Sequence, residues 1–154
     1  MGSEMCIRDR INRSLIGTKY PPFYSEVTEE KISLFAKAIG EKNPIHTLIE
    51  SAKKEGHPSL LAPLTFLTTV SYEQEDPYKY LKDLGIELGR FLHANQEYTY
   101  FSPVYAGDRI KMVSKLSDIF DKGGGRLQFL VFESMYSNQD EVIVAKSKST
   151  LVVK

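Results

Sequence analysis

Glu41 and His46 stand five positions apart, on either side of Asn43-Pro44, in the run Gly40-Glu41-Lys42-Asn43-Pro44-Ile45-His46. A carboxylate and an imidazole that share one water or one C–H form an acid/base pair, in which one group orients and the other moves the proton. Imidazole suits that work because its unperturbed pKa lies near neutrality. Pro44 has no N–H to give a helix, and it pushes Asn43 out of helical geometry. The spacing therefore predicts an irregular loop that can turn both side chains towards one point. Read without their surroundings, the same residues fit a solvated connection between two helices, since Asn-Pro turns are common.

The flanking segments must hold that loop. Thr28 predicts a helix N-cap, with Glu29 and Glu30 placed favourably for the helix dipole. Ile32, Phe35, Ala36 and Ile39 follow at helical spacing, and Gly40 supplies the stop. A second, short helix is expected from about Leu48 to Glu55, capped by Thr47 and ended by Gly56. A third starts near Pro63 and carries Leu64, Phe66, Leu67 and Val70, apolar on most sides, which predicts burial. Asp76-Pro77 to Gly85 reads as a turn and a short helix with Tyr78 and Leu81 inward. From about Phe91 the pattern turns to long strands, broken at Ala106-Gly107-Asp108, Gly123-Gly124-Gly125 and Asn138-Gln139-Asp140. Helices early and strands late give an α+β fold, with a sheet to wrap the buried helix.

Length and charge exclude several classes. At 154 residues the chain fits one domain with a real core. Lys plus Arg and Asp plus Glu are 20 each, so no electrostatic reason points to nucleic acid or an anionic membrane as partner. No apolar run approaches the length of a bilayer span. Cys6 is the only cysteine, which rules out an intrachain disulfide and points to the cytoplasm. No Cys/His cluster has zinc spacing, and no metal is expected. The triple glycine lacks a following helix and a Lys-Ser/Thr pair, so it reads as a hairpin tip and not a phosphate loop. Tyr98, Tyr100, Phe129 and Phe132 read as sheet packing, because the basic interleaving of a nucleic-acid platform is missing. His57, before Pro58, reads as an exposed loop residue. Lys79, Lys82 and Arg90 read as solvated surface ahead of phosphate contacts. Residues 1–13 show no periodicity and read as a disordered or adventitious leader, with the domain at 14–154.

Four stretches resemble the MaoC-like hydratases and dehydratases. Ile16-Gly17-Thr18 with Phe23-Tyr24 and Val27-Thr28 resembles that family's opening strand. Phe35 to Gly40, running on through Asn43-Pro44-Ile45-His46, resembles its Gly-Asp-x-Asn-Pro-x-His loop, with Glu41 in place of Asp. Leu61-Ala62-Pro63-Leu64-Thr65-Phe66 resembles its entry to the central helix. Leu92 to Tyr98 and Pro103-Val104-Tyr105-Ala106-Gly107-Asp108 resemble a strand of the site and the turn after it. The likeness extends to the N-terminal-half subfamily of the fungal-type fatty-acid synthase dehydratase group.

The resemblance implies a hot-dog fold, a curved antiparallel sheet around a long central helix. It implies (R)-specific hydration of 2-enoyl thioesters, or the reverse dehydration of 3-hydroxyacyl thioesters. Coenzyme A or acyl carrier protein would enter as part of the substrate, with no separate cofactor. His46 and Glu41 would be catalytic, and Asn43, Leu64, Thr65 and His93 would lie at the substrate. For His93 a structural role ranks ahead of substrate contact. The N–H at Leu64, where the family has Gly, would steady the enolate oxygen. Glu for Asp moves the carboxylate by about one bond length. Hot-dog domains pair, so a homodimer or a heterodimer with another hot-dog subunit is implied. Two alternatives share the fold: a non-catalytic acyl-binding subunit of a heteromeric dehydratase, and an acyl thioesterase.

Overall fold

The computed structural model describes residues 10–154. The chain runs through β1 (Phe23–Glu26), α1 (Glu29–Ala38), α2 (Ile49–Lys54), α3 (Thr68–Tyr72), α4 (Lys79–Asp83), β2 (Phe91–Tyr100), β3 (Arg109–Lys122), β4 (Leu127–Ser137) and β5 (Ile143–Val153). The strands form one antiparallel sheet in the order β1-β3-β4-β5-β2, so β1 and β2 are its edges. The expected α+β architecture is present, and the three strand-breaking turns fall where the sequence puts them.

One face of the sheet carries the core. Ile110, Met112 and Leu116 on β3 are buried in alternation, and a register shift at Leu116/Asp118 then brings Ile119 inward. On β4 Gln128, Leu130, Phe132 and Tyr136 are buried on one parity, whereas Val131 is buried and Phe129 stacks on Phe120 on the other. That strand is apolar at both parities. Ile32, Phe66 and Val70 from the helical layer close the core, and Ala36 is fully buried beside them in α1. Aromatic Tyr20, Tyr78 and Tyr80 cover the end near α4, where Leu81 is fully buried.

Four sequence expectations change. The third helix is much shorter than its apolar run. Pro63 to Val70 is a series of i→i+3 turns, Phe66 to Pro63, Thr68 to Thr65, Thr69 to Phe66 and Val70 to Leu67, and regular α-helix covers only Thr68–Tyr72. Thr65, Thr68, Thr69 and Val70 are β-branched, and the Thr69 hydroxyl donates to the Phe66 carbonyl at 2.8 Å, competing with the helical ladder. Thr47 does not cap α2; Leu48 holds the N-cap position without a side-chain bond. Ile39 ends the α1 stripe half-exposed. The leader expected over 1–13 lies outside the described residues up to position 9. Arg10 to Arg13 pack on the sheet: Ile11 is buried and exchanges two hydrogen bonds with the Gln128 side chain, at 2.8 and 3.0 Å, while Arg10 and Arg13 share Asp121.

Candidate active site

Helix α1 sets the starting point of the loop. Thr28 accepts from the Lys31 N–H, and Glu29 and Glu30 lie in the first turn. At the other end Gly40 takes φ +74°, its N–H reaches the Lys37 carbonyl, and the Glu41 N–H reaches the Ala36 carbonyl at 2.8 Å. That pair of bonds is a Schellman stop, and its left-handed residue favours glycine. Glu41 thus leaves the helix at a fixed angle.

The loop then consumes its own polar groups. Glu41 Oε1 accepts the Asn43 N–H at 3.0 Å, and Asn43 Oδ1 accepts the Ile45 N–H at 3.2 Å. Asn43 is extended, as the residue before proline should be, and caps a 3₁₀ turn over Pro44–His46. His46 is drawn inward to 7% exposure. Its Nδ1 lies 2.6 Å from the Leu61 carbonyl oxygen. A carbonyl can only accept, so Nδ1 carries a proton, and in the neutral form of the ring the lone pair is on Nε2.

The remaining motifs lock that contact in place. The Leu61 N–H returns to the Ile45 carbonyl at 3.1 Å. Leu61 bridges Tyr105, with Ala62 bonded to Val104 and Ala106 to Leu60. Gly107 and Asp108 in turn exchange backbone bonds with Val27, both at 2.8 Å. Stretches far apart in sequence thus form one hydrogen-bonded stack under the loop.

A cavity of about 640 Å³ opens against this stack. Glu41, His46, Leu64 and Thr65 all line it, with Ala62, Leu67 and Val104 as apolar wall. The structure therefore brings together four of the six expected site residues. Leu64 is 69% exposed at the mouth, and among the described residues neither its N–H nor that of Thr65 has an acceptor. Those two donors, unpaired like those at a helix start, are available to a ligand oxygen. Asn43 is spent as the cap of the 3₁₀ turn and does not line the cavity.

Glu41 and His46 share the cavity without touching. Among the described residues no hydrogen bond joins them, and Glu41 is fully exposed. The Asn43 N–H, followed by the Lys42 backbone and the nearby His46, holds the Glu41 carboxyl below its ordinary range. At neutral pH it is a carboxylate, an acceptor or base and not a proton donor.

His93 is not at this site. It lies on β2 beside a bulge at His93/Asn95, with Nε2 near Gln96 Oε1 (3.1 Å) and Ser149 Oγ (3.2 Å). The bulge flips the strand parity and turns His93 to a second cavity of about 810 Å³ under α3 and α4. His57, expected as an exposed loop residue, is half-buried instead. Its Nδ1 is 3.0 Å from the Tyr105 hydroxyl, and it lines the first cavity. The sequence carries no signal for that pairing, because the two residues meet only through the Leu61–Tyr105 bridge. Lys79 and Lys82 are paired with Asp83 and Asp76, and Arg90 donates to the Lys154 carbonyl, as a solvated surface would. Among the described residues no cluster of ligating side chains could hold a metal, and no helix is long and apolar enough to cross a membrane.

Residues 14–147 match the FAS1-like dehydratase domain region. The chain belongs to this dehydratase family. A UPF0336 protein of Saccharopolyspora erythraea is 35% identical over 145 residues, 94% of this chain and 92% of that one. Among solved structures, the C-terminally truncated HadBC (3R-hydroxyacyl-ACP dehydratase) complex from Mycobacterium tuberculosis gives a TM-score of 0.74 at 24% identity, covering 89% of this chain and 96% of that one. A structure described as a MaoC-like dehydratase gives 0.79 at 20% identity, over 91% of this chain and 42% of that one. The fold is the hot-dog fold of these neighbours.

Proposed function

We propose that this FAS1-like dehydratase-region protein hydrates 2-enoyl thioesters of coenzyme A or acyl carrier protein to the (R)-3-hydroxy product, and catalyses the reverse dehydration. The observation that carries the reading is His46, buried at a cavity with Nδ1 committed to the Leu61 carbonyl and Nε2 left with a lone pair. In the hydration direction Nε2 takes a proton from water as the oxygen bonds C3. The electron pair of the C2–C3 double bond moves towards the thioester carbonyl, and the imidazolium returns the proton at C2. The Leu64 and Thr65 N–H groups serve as donors to the enolate oxygen. Glu41, an exposed carboxylate at the rim, orients the water.

A heteromeric role is the second reading, favoured by one observation: Glu41 bonds its own loop and not His46. In that case the chain binds the acyl group while another hot-dog subunit, paired along an exposed strand such as β2, supplies a complete acid/base pair. Crotonyl-CoA incubated with the purified protein tests both. Conversion to the (R)-3-hydroxybutyryl thioester supports the first reading. No conversion, together with tight association to a separate His/Asp-bearing hot-dog chain, supports the second. Release of free coenzyme A without hydroxyacyl product would assign a thioesterase instead.

A further inference from the structure

The two cavities are each lined by one ring of a stacked pair. Tyr100 lines the cavity that holds His46, and Tyr98 lines the larger one. Both project from β2 at alternate positions, and their rings stack with centroids 5.7 Å apart and planes 14° from parallel. Each hydroxyl is tied to the opposing segment: Tyr100 donates to the Leu64 carbonyl, and Tyr98 bonds the Thr68 hydroxyl. The same segment divides between the cavities, with Leu64, Thr65 and Leu67 on the first and Thr68 and Ser71 on the second. Strand β2 and residues 64–68 are thus stitched together along the boundary.

The larger cavity is unused by the proposed chemistry. Its floor crosses the sheet as Ser114, Ser134 and Ser147, which are register neighbours on β3, β4 and β5, with Phe132, Tyr20 and Tyr80 as wall. It is roomy, and the stacked tyrosines, one lining each cavity, mark where the two meet.

We propose that Tyr98 and Tyr100 form a partition that sets the acyl chain length, confining the acyl group to the cavity of His46 and closing off the larger one. The inference rests on the acyl-thioester reading of the site. The partition is made of a stacked pair and two hydroxyl bonds, so it can be weakened in steps. Thr68→Val together with Tyr100→Phe removes both hydroxyl bonds and keeps both rings. Tyr98→Ala removes one ring outright and opens the passage. Neither Thr68 nor Tyr98 takes part in the proposed proton transfers.

The test measures binding and hydration of crotonyl-, octenoyl- and dodecenoyl-CoA by the native protein and both variants, with thermal melting to confirm the fold. Binding keeps the comparison readable even if a partner subunit supplies the chemistry. The native protein should prefer the two shorter chains. Tyr98→Ala should raise the dodecenoyl-to-crotonyl ratio by about tenfold, the scale of discrimination by apolar pocket space. The double variant should raise it by a few-fold, as expected for loss of net hydrogen bonds. An unchanged ratio in folded variants would overturn the proposal, as would a native protein that takes dodecenoyl-CoA as readily as crotonyl-CoA. Failure of the native protein to bind or hydrate any chain length removes the acyl-thioester reading itself, and this inference with it.

Discussion

Replacing His46 separates its structural bond from its chemistry. The ring makes one part-buried hydrogen bond, Nδ1 to the Leu61 carbonyl at 2.6 Å, and is 7% exposed. His46→Ala leaves that carbonyl without its donor inside the stack, a cost of about 1–3 kcal/mol for an unsatisfied buried group. With a urea slope of about 1–3 kcal/mol per molar, the unfolding midpoint should fall by about 1 M. It also removes Nε2, so hydration of crotonyl-CoA should drop by about 10²–10⁴-fold, the usual worth of general acid–base catalysis. His46→Asn is the informative companion. Its side-chain NH₂ can stand where Nδ1 stands and donate to Leu61, but it offers no base at Nε2. Most of the lost stability should return while turnover stays at the alanine level. Urea denaturation followed by circular dichroism and initial rates with crotonyl-CoA read the two effects separately. If His46→Asn turns over like the native protein, Nε2 is not the base. If it is no more stable than His46→Ala, the Leu61 contact is not what holds the ring.

Other positions give independent tests. Glu41→Gln keeps an acceptor for the Asn43 N–H and loses the charge; kcat should fall about 10- to 100-fold with little change in melting temperature, whereas an unchanged kcat would reduce Glu41 to a loop cap. Glu41→Asp should preserve or raise kcat. Gly40→Ala meets no atom within 4 Å but must hold φ +74°, so denaturation should show a loss of about 1–2 kcal/mol, with Gly40→Asn costing less. Burial pushes the Tyr136 and Tyr80 phenols up to about 12 from 10. The folded state then keeps protons that the unfolded chain has lost. Stability should therefore be complete below pH 10 and fall as pH rises towards 12, by about 2–3 kcal/mol for each phenol. Urea midpoints at pH 9 and 11.5 should show the drop, and Tyr136→Phe should reduce it by about half, leaving the share of Tyr80.

The local signals were legible where one rule decided the outcome. Thr28, the Glu pair and Gly40 define α1 because cap, dipole and left-handed stop agree. The strands follow from alternation and from turn residues at their ends. Glu41 and His46 reach one cavity because proline and the Asn43 cap fix the loop. What stayed hidden depends on tertiary pairing. The helix after Pro63 is cut short by its threonines and by two tyrosines from another strand. The bulge between His93 and Asn95, which puts His93 on the same face as Gln96 and Tyr98 at the second cavity, is not announced by the residues around it. His57 meets Tyr105 only through a bridge between segments about forty residues apart. Ile11 is held by Gln128 from far along the chain, which no local pattern around residue 11 could announce.

The most direct test of the site is a crystal structure of His46→Asn with crotonyl-CoA bound, the variant chosen to hold the fold and stop turnover. The thioester carbonyl should lie within hydrogen-bond distance of the Leu64 or Thr65 N–H, with C3 facing residue 46 and a water between C3 and Glu41. A crotonyl group lodged elsewhere, or a thioester carbonyl turned away from both N–H groups, would contradict the proposed site.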